Sequence, residues 1–309
     1  MRKLGRLDGS TVTVSPSKAI FAHLFGDSHQ HHRKVPTVTN FSLIICIYAK
    51  ETPAYLAQCL ESILAQTVMP DEMVIVKDGP LTDELDAIID AANFPNEKKI
   101  IQLPQNMTQG PARAIGIENA KHCWVAIMDS DDICRPDRFE KQLAMIEQNP
   151  DLGLIGGQIA EFTDEPKNAD ATRAVPQTHD EIAEFTKKRN PFNQMTVMFR
   201  RDLAQKAGNY RYFPWFEDYD LWTRMIKTGT ICANHPDILV DARTGSGMFA
   251  RRRGTNYIRH EWRMLKQLKT LGYTTTPGFI RNAAIRLPPR LLPARALAAL
   301  YYRHVRNKP

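Results

Sequence analysis

The chain is expected to adopt an α/β fold, a mostly parallel sheet flanked by helices, and three observations support this. From Phe41 onward, short apolar runs alternate with amphipathic helical stretches. The segments joining them are short, as in sheets whose strands run in one direction and are covered on both faces. Acidic residues also gather where apolar runs end: Asp78 follows the second run, and Asp129, Asp131 and Asp132 follow the fourth. In open sheets of this class, ligands sit beyond the carboxyl ends of the strands.

Each element has its own signal. Strands are expected at 41–48, 72–76, 99–103, 124–128 and 152–155, each an apolar run bounded by polar or turn residues. Leu56, Leu60, Ile63 and Leu64 fall on one helical face, as do Leu85, Ile88 and Ile89. Pro111 opens a third helix, and Pro136 a fourth that carries Phe139, Leu143 and Ile146. Proline suits a first helical turn because its fixed φ is already helical. The second half is less regular. A polar loop at 163–178, strands at 196–199 and 238–241, and helices at 202–206 and 216–224 are expected there. After Gly254 the pattern is helical, interrupted by Pro277 and by Pro288-Pro289.

Hydrophobic content of 43% and charged content of 24% are those of a globular protein. No run approaches the roughly 18 apolar residues of a membrane span. The five cysteines form no CxxC pair, so reduced thiols in a cytoplasmic protein are expected. The net charge of +7 is unevenly divided. Residues 248–309 hold 14 Lys and Arg against a single acid, Glu261, and the other 247 residues hold 27 against 33. That asymmetry points to an anionic partner. Three segments follow: a polar, disordered tail at 1–39, a main domain at 40–246, and a basic helical C-terminal extension at 247–309.

Three carboxylates in the four residues 129–132 repel one another unless a cation neutralises them. Hard ions such as Mn²⁺ or Mg²⁺ take a few carboxylate oxygens and complete their shell with substrate phosphates. A phosphatase, a nucleotidyltransferase or a glycosyltransferase could all use such a turn. GxxxxGK[ST], GxGxxG after the first strand, HExxH and GxSxG are all missing, which excludes P-loop, dinucleotide, zincin and serine-hydrolase chemistry.

The ordered set of motifs resembles the family 2 glycosyltransferases. It comprises Leu43-Ile-Ile-Cys-Ile-Tyr-Ala-Lys-Glu51, Tyr55-Leu-Ala-Gln-Cys-Leu-Glu-Ser-Ile-Leu-Ala-Gln-Thr67, Val74-Ile-Val-Lys-Asp-Gly79, Gly110-Pro-Ala-Arg-Ala-Ile-Gly116, Met128-Asp-Ser-Asp-Asp132 and Phe216-Glu-Asp-Tyr-Asp-Leu-Trp222. The resemblance spans about 41–253 and is nearest to members that build bacterial surface polysaccharides. It implies the GT-A fold, a nucleotide-sugar donor such as a UDP-sugar, and a saccharide or lipid-linked saccharide acceptor. It also implies a divalent metal and peripheral association with the cytoplasmic face of the inner membrane. By the same resemblance, Tyr48, Glu51, Asp78, Arg113 and Asp129 bind the donor, and Asp131 with Asp129 holds the metal. Asp218 is the general base of an inverting transfer, with Asp220 as its competitor. Glu217, Arg251 and Arg252 contact diphosphate or acceptor. The sequence departs from the family pattern at Cys46, Ala49 and Ala114, which leaves the donor open.

Alternatives are a metal-dependent sugar nucleotidyl- or phosphotransferase and a non-catalytic membrane- or nucleic-acid-binding protein. Nucleic acid is not expected, because few aromatics accompany the basic residues. In the extension, Ile280, Ile285, Leu287, Leu291, Leu292, Leu297 and Leu300 interleave with Arg281, Arg286, Arg290 and Arg295, a pattern suited to an anionic membrane surface.

Overall fold

The computed structural model describes residues 39–163, 165–244 and 251–304. The tail expected at 1–39 lies outside the described residues except for Thr39.

The sheet is built outward from β1 (Phe41–Ile47), which is buried on both faces and therefore reads as an unbroken apolar run. α1 (Pro53–Leu64) begins on its proline and buries Leu56, Cys59, Leu60 and Ile63. β2 (Glu72–Lys77) lies parallel to β1, and β3 (Glu97–Gln102) lies parallel to β2. Between them α2 (Asp83–Ala91) starts at Thr82, whose hydroxyl accepts from the Leu85 N–H and meets an otherwise orphaned donor. α3 (Gln109–Asn119) then carries the chain back across the sheet to β4 (Trp124–Asp129), which pairs parallel with the other edge of β1. The order β3-β2-β1-β4 makes the β1/β4 boundary the point where strand order reverses. Crevices at such points are where α/β folds bind ligands.

Beyond β4 the sheet turns mixed. β5 (Ile133–Cys134) and α4 (Arg138–Gln148) lead into β6 (Leu152–Phe162), β7 (Ala171–Arg173) and α5 (His179–Thr186). β8 (Met198–Arg200), α6 (Arg201–Lys206), α7 (Glu217–Lys227) and β9 (Ile231–Arg243) follow. β8 is antiparallel to β4 and to β6, whereas β9 runs parallel to β6. β6 and β9 extend well past the sequence-expected 152–155 and 238–241. Gly156 and Gly157 weaken the strand signal there, and close packing requires both. A Cβ on Gly156 would lie 2.4 Å from Asn234 Oδ1, and one on Gly157 would lie 2.4 Å from Leu239 Cδ1.

Alternate residues of β1 face opposite layers. Leu43, Ile45 and Ile47 pack with α1, α2 and α4, while Ile44 packs with α3, Val74, Val76 and Trp222 of α7. Trp222 is wholly buried, with Phe192, Phe199 and Tyr210 around its ring. A third cluster joins Phe213, Phe216 and Tyr219 to α8 (Gly254–Thr270) through Tyr257, Met264, Leu265 and Leu268. α9 (Thr276–Arg286) and α10 (Ala294–His304) complete the described chain.

Gly110, at the start of α3, allows that helix to meet the segment preceding α7. A Cβ there would stand 2.4 Å from the Arg211 carbonyl oxygen and 3.2 Å from the Glu217 Cβ. Gly110→Ala is expected to destabilise the protein by about 1–3 kcal/mol through overpacking. The readout is a lower urea midpoint at unchanged slope; an unchanged midpoint would show that the two segments part freely.

Candidate active site

The carboxyl ends of β1, β2 and β4 deliver most of the expected residues to one crevice. Asp78 follows β2, with its backbone N–H on the Ile47 carbonyl (2.7 Å). Its buried carboxylate accepts from the Met107 N–H (2.6 Å) and from Asn106 Nδ2 (2.9 Å). Burial pushes its pKa up, against the pull of the Met107 and Thr108 N–H groups. Asp78 therefore pins the loop that launches α3, whose first cap residue, Thr108, sits at φ 73°.

Tyr48 and Glu51 lie just beyond β1. Tyr48 is 37% exposed, and Glu51 accepts from the Ser130 hydroxyl and from the Thr52 N–H (2.8 Å). Ser130 is the middle residue of the acidic turn, so Glu51 is tied directly to it. Cys46 is paired in register with Asp129 across β1 and β4, and burial pushes its thiol up to about 12. It stays a neutral packing residue.

Arg113, on α3, is the centre of the arrangement. Its Nη2 donates to Asp129 Oδ1 at 2.6 Å and its Nη1 to Glu217 Oε1 at 3.1 Å, with only 4% of the side chain exposed. Burial alone would depress its pKa, but the charges of Asp129 and Glu217 outweigh that and hold the cation charged. One guanidinium thus joins the end of β4 to the start of α7.

The acidic turn itself is under mutual repulsion. Burial, then the charges of Asp129 and Glu51, raise the Asp131 pKa, while Arg251 opposes them. Asp132 is buried and also raised, by burial and by Asp131 and Asp129. Its carboxylate accepts from the Arg243 N–H at 2.7 Å. Arg243 ends β9, and its Nε donates to the Asp131 carbonyl (3.1 Å) and its Nη2 to Gln58 Oε1 (2.6 Å). The guanidinium also lies 3.8 Å from the Tyr55 ring centroid. The turn is therefore held from behind by Arg243, whose guanidinium bonds to the Asp131 backbone rather than to its carboxylate.

α7 supplies the other acids. Burial and the neighbouring Asp218 charge raise Glu217, against Arg113. Asp218 accepts from its neighbour's backbone, Tyr219 N–H (2.6 Å), and from Asn190 Nδ2 (2.6 Å). Burial raises its pKa, opposed by those bonds and by the charges of Arg113 and Arg173. Asp220 points elsewhere. It is 2% exposed and paired with Arg224 Nη2 at 2.6 Å, a structural ion pair inside the helix. Asp218, by contrast, is half-buried and held by neutral donors.

Arg251 acts electrostatically on both Asp131 and Tyr48 and so belongs to this group. Arg252 accepts from Arg290 at its carbonyl (3.4 Å), and its charge acts on Tyr257. Sequence patterns give no sign of Arg243 or Asn190, because each meets its partner only through the fold.

Residues 42–208 match the family model described as Glycosyl transferase family 2. The chain is 42% identical over 267 residues to a glycosyltransferase of Haemophilus influenzae, covering 86% of this chain and 99% of that one. The chain belongs to glycosyl transferase family 2. Membership makes it a glycosyltransferase and sets aside the nucleotidyl-transfer and non-catalytic alternatives. Two other relatives in the same range are the amylovoran biosynthesis glycosyltransferase AmsE of Erwinia amylovora, at 40% identity over 84% of this chain and 97% of that one, and an Escherichia coli enzyme, at 32% over 86% and 97%. The latter is named UDP-Gal:alpha-D-GlcNAc-diphosphoundecaprenol beta-1,3-galactosyltransferase. Among solved structures, S. aureus TarS 1-349 in complex with UDP-GlcNAc superposes with a TM-score of 0.60 at 16% identity, over 86% of this chain and 73% of that one. The Pyrobaculum calidifontis mannosyltransferase PcManGT, in complex with GDP-Man and Mn²⁺, gives 0.59 at 18%, over 87% and 77%. These structural neighbours establish the GT-A fold.

Removing the central cation leaves two carboxylates facing each other across a largely buried gap. Arg113→Met is expected to cost about 3 kcal/mol at pH 8, since breaking a buried pair strands its partners' charge. The stranded acids take up protons more readily than in the unfolded chain, so the deficit shrinks as pH falls towards 5. Urea unfolding at both pH values checks this, and a pH-independent deficit would contradict it.

Proposed function

We propose that this glycosyltransferase moves one sugar from a UDP-sugar to a lipid-linked saccharide in bacterial surface polysaccharide synthesis. The transfer is a single inverting displacement assisted by a divalent cation. The observation that carries the reading is the Arg113 bridge: Asp129, on the acidic turn, and Glu217, beside Asp218, contact the same guanidinium. That bridge supports a reading in which the acidic turn binds the diphosphate and the candidate base lies in the same crevice, at the strand-order reversal. The names of the relatives support donor and acceptor, one specifying UDP-Gal and a diphosphoundecaprenol-linked GlcNAc, another amylovoran biosynthesis.

Among the described residues, no group of three or more His, Cys, Asp or Glu side chains forms a complete metal ligand set. The donor set nevertheless fits Mn²⁺ or Mg²⁺, which take one or two carboxylates and fill their shell with phosphate and water. Asp131 is crowded by Asp129 and Glu51 and gains most from a neighbouring cation. Asp129 already spends one oxygen on Arg113, so Asp131 would be the direct ligand and Asp129 its support. When bound, such an ion neutralises charge on the departing diphosphate.

The protein's own residues supply the remainder. Asp78, Tyr48 and Glu51 line the end of the sheet where base and ribose bind. Asp218 takes the proton of the acceptor hydroxyl as its oxygen bonds to the anomeric carbon, opposite the leaving diphosphate oxygen. Its raised pKa makes it a stronger base than an exposed carboxylate. Asn190 and the Tyr219 N–H keep it oriented. No helix among the described residues is long and apolar enough to cross a membrane, so a lipid-linked acceptor would be met at a membrane surface.

Incubation with UDP-sugars, Mn²⁺ and a lipid-diphosphate-linked saccharide is expected to release UDP and form a glycoside of inverted anomeric configuration, read by NMR. Asp131→Ala is expected to lower turnover by a factor of at least about 10². Retained configuration, or near-normal turnover in the variant, would overturn the respective half of the proposal.

A further inference from the structure

The helices after Arg251 have one face that the fold accounts for and one that it does not. On the inner face, Phe279, Ala283 and Leu287 pack against the cluster around Tyr257. Asn282 donates to the Lys187 carbonyl (3.1 Å) and Arg286 to that of Lys188 (3.0 Å). Glu261 is wholly buried and accepts from Arg286 and Arg290, each at 2.8 Å. That last pairing determines the surface charge. Glu261 is the only acid in residues 248–309, which carry 14 Lys and Arg. With it sealed inside, every side-chain charge exposed on this described segment is positive.

The outer face has none of these partners. Ile280 is 60% exposed, Ile285 64% and Leu291 64%. Ile280 and Ile285 share the outward side of α9 with Arg281, Leu291 closes the turn that follows, and Arg295 sits exposed at the start of α10. A lone exposed aliphatic residue is ordinary, but three lie within 280–291, on a segment whose own exposed charges are all positive. An anionic bilayer satisfies both features, because aliphatic side chains enter the acyl boundary while guanidinium groups meet headgroup phosphates.

The inner face of the same helix is anchored beside the segment that leads to Asp218. Lys188, held by Arg286, is two residues from Asn190, which donates to Asp218 at 2.6 Å. Two residues of chain span at most about 7 Å.

We propose that the outward side of α9 and the turn after it, centred on Ile280, Ile285 and Leu291 with Arg281 and Arg295, docks on an anionic phospholipid bilayer and so presents a membrane-borne acceptor to Asp218. The presentation step rests on the lipid-linked acceptor reading above; the docking step does not.

Flotation of the full chain with phosphatidylcholine vesicles, with and without phosphatidylglycerol, tests the docking. Wild type is expected to float only with the anionic vesicles, and less at high salt. The combined variant Ile280→Glu, Ile285→Glu, Leu291→Glu should reduce the bound fraction about tenfold or more. Should that variant misfold, Arg281→Ala with Arg295→Ala is expected to remove most of the salt sensitivity. Flotation unchanged in either folded variant, equal binding to neutral vesicles, or no wild-type flotation would overturn the proposal. So would a wild-type dimer that the Glu variant dissociates without loss of flotation, since a second copy would then cover the face. Transfer to a short-chain, water-soluble lipid-linked acceptor is expected to be equal in wild type and variant, with transfer to a bilayer-embedded one falling only in the variant. If wild type floats but glycosylates neither acceptor, the acceptor reading fails while docking stands.

Discussion

A single buried guanidinium fixes the geometry of this site. Arg113 takes the last residue of β4 on one side and the first residue of α7 on the other. A cation cannot be buried without compensation, and two carboxylates provide it; equally, neither acid could be buried at these positions without the cation. The bridge imposes demands on the surrounding fold. α3 must approach the segment before α7 within contact of Gly110, and the loop before α3 must be fixed, which Asp78 does through the Met107 N–H.

With that bridge in place, the remaining electrostatics run in one direction. Asp131 and Asp132 are raised by burial and by neighbouring carboxylates, and Arg243 holds their turn from behind, its guanidinium on the Asp131 carbonyl and its backbone N–H on Asp132. Negative charge is thus concentrated towards the crevice and only partly compensated by Arg251. On the function proposed above, such a cleft suits a cation carrying a diphosphate better than a bare anion. Asp218 stands outside that cluster, with its own neutral donor, Asn190. The two acid groups can therefore differ in protonation and in task while remaining in one crevice.

The sequence made some of this legible and hid the rest for physical reasons. β1, β2 and β4 are buried on both faces, so their unbroken apolar runs fall within a residue or two of the observed strands. The expected span of β6 stops short because Gly156 and Gly157 carry no apolar signal, and that of β9 starts late because Asn234, His235, Pro236 and Asp237 interrupt it. β7 and α5 lie in polar sequence without strong periodicity and were not foreseen. The acidic turn was readable as a cluster, and the family resemblance already favoured Asp218 over Asp220. Arg224, four residues on, pairs with Asp220, a contact that the sequence alone did not reveal. Arg243 and Asn190 stay invisible in one dimension because their partners are 111 and 28 residues away. In the basic extension, composition could not separate Leu287, Arg286 and Arg290, which serve the interior, from Ile280, Ile285 and Leu291, which do not.

The central claim is that one crevice holds the donor through the acidic turn and deprotonates the acceptor through Asp218. The most direct measurement compares donor affinity and transfer rate in a single variant, Asp218→Asn, by calorimetric titration with a UDP-sugar and Mn²⁺ and by product formation. The account requires donor affinity within about twofold of wild type, with transfer slowed by a factor of about 10² to 10⁴. Transfer near the wild-type rate would contradict it, because the base would then lie elsewhere.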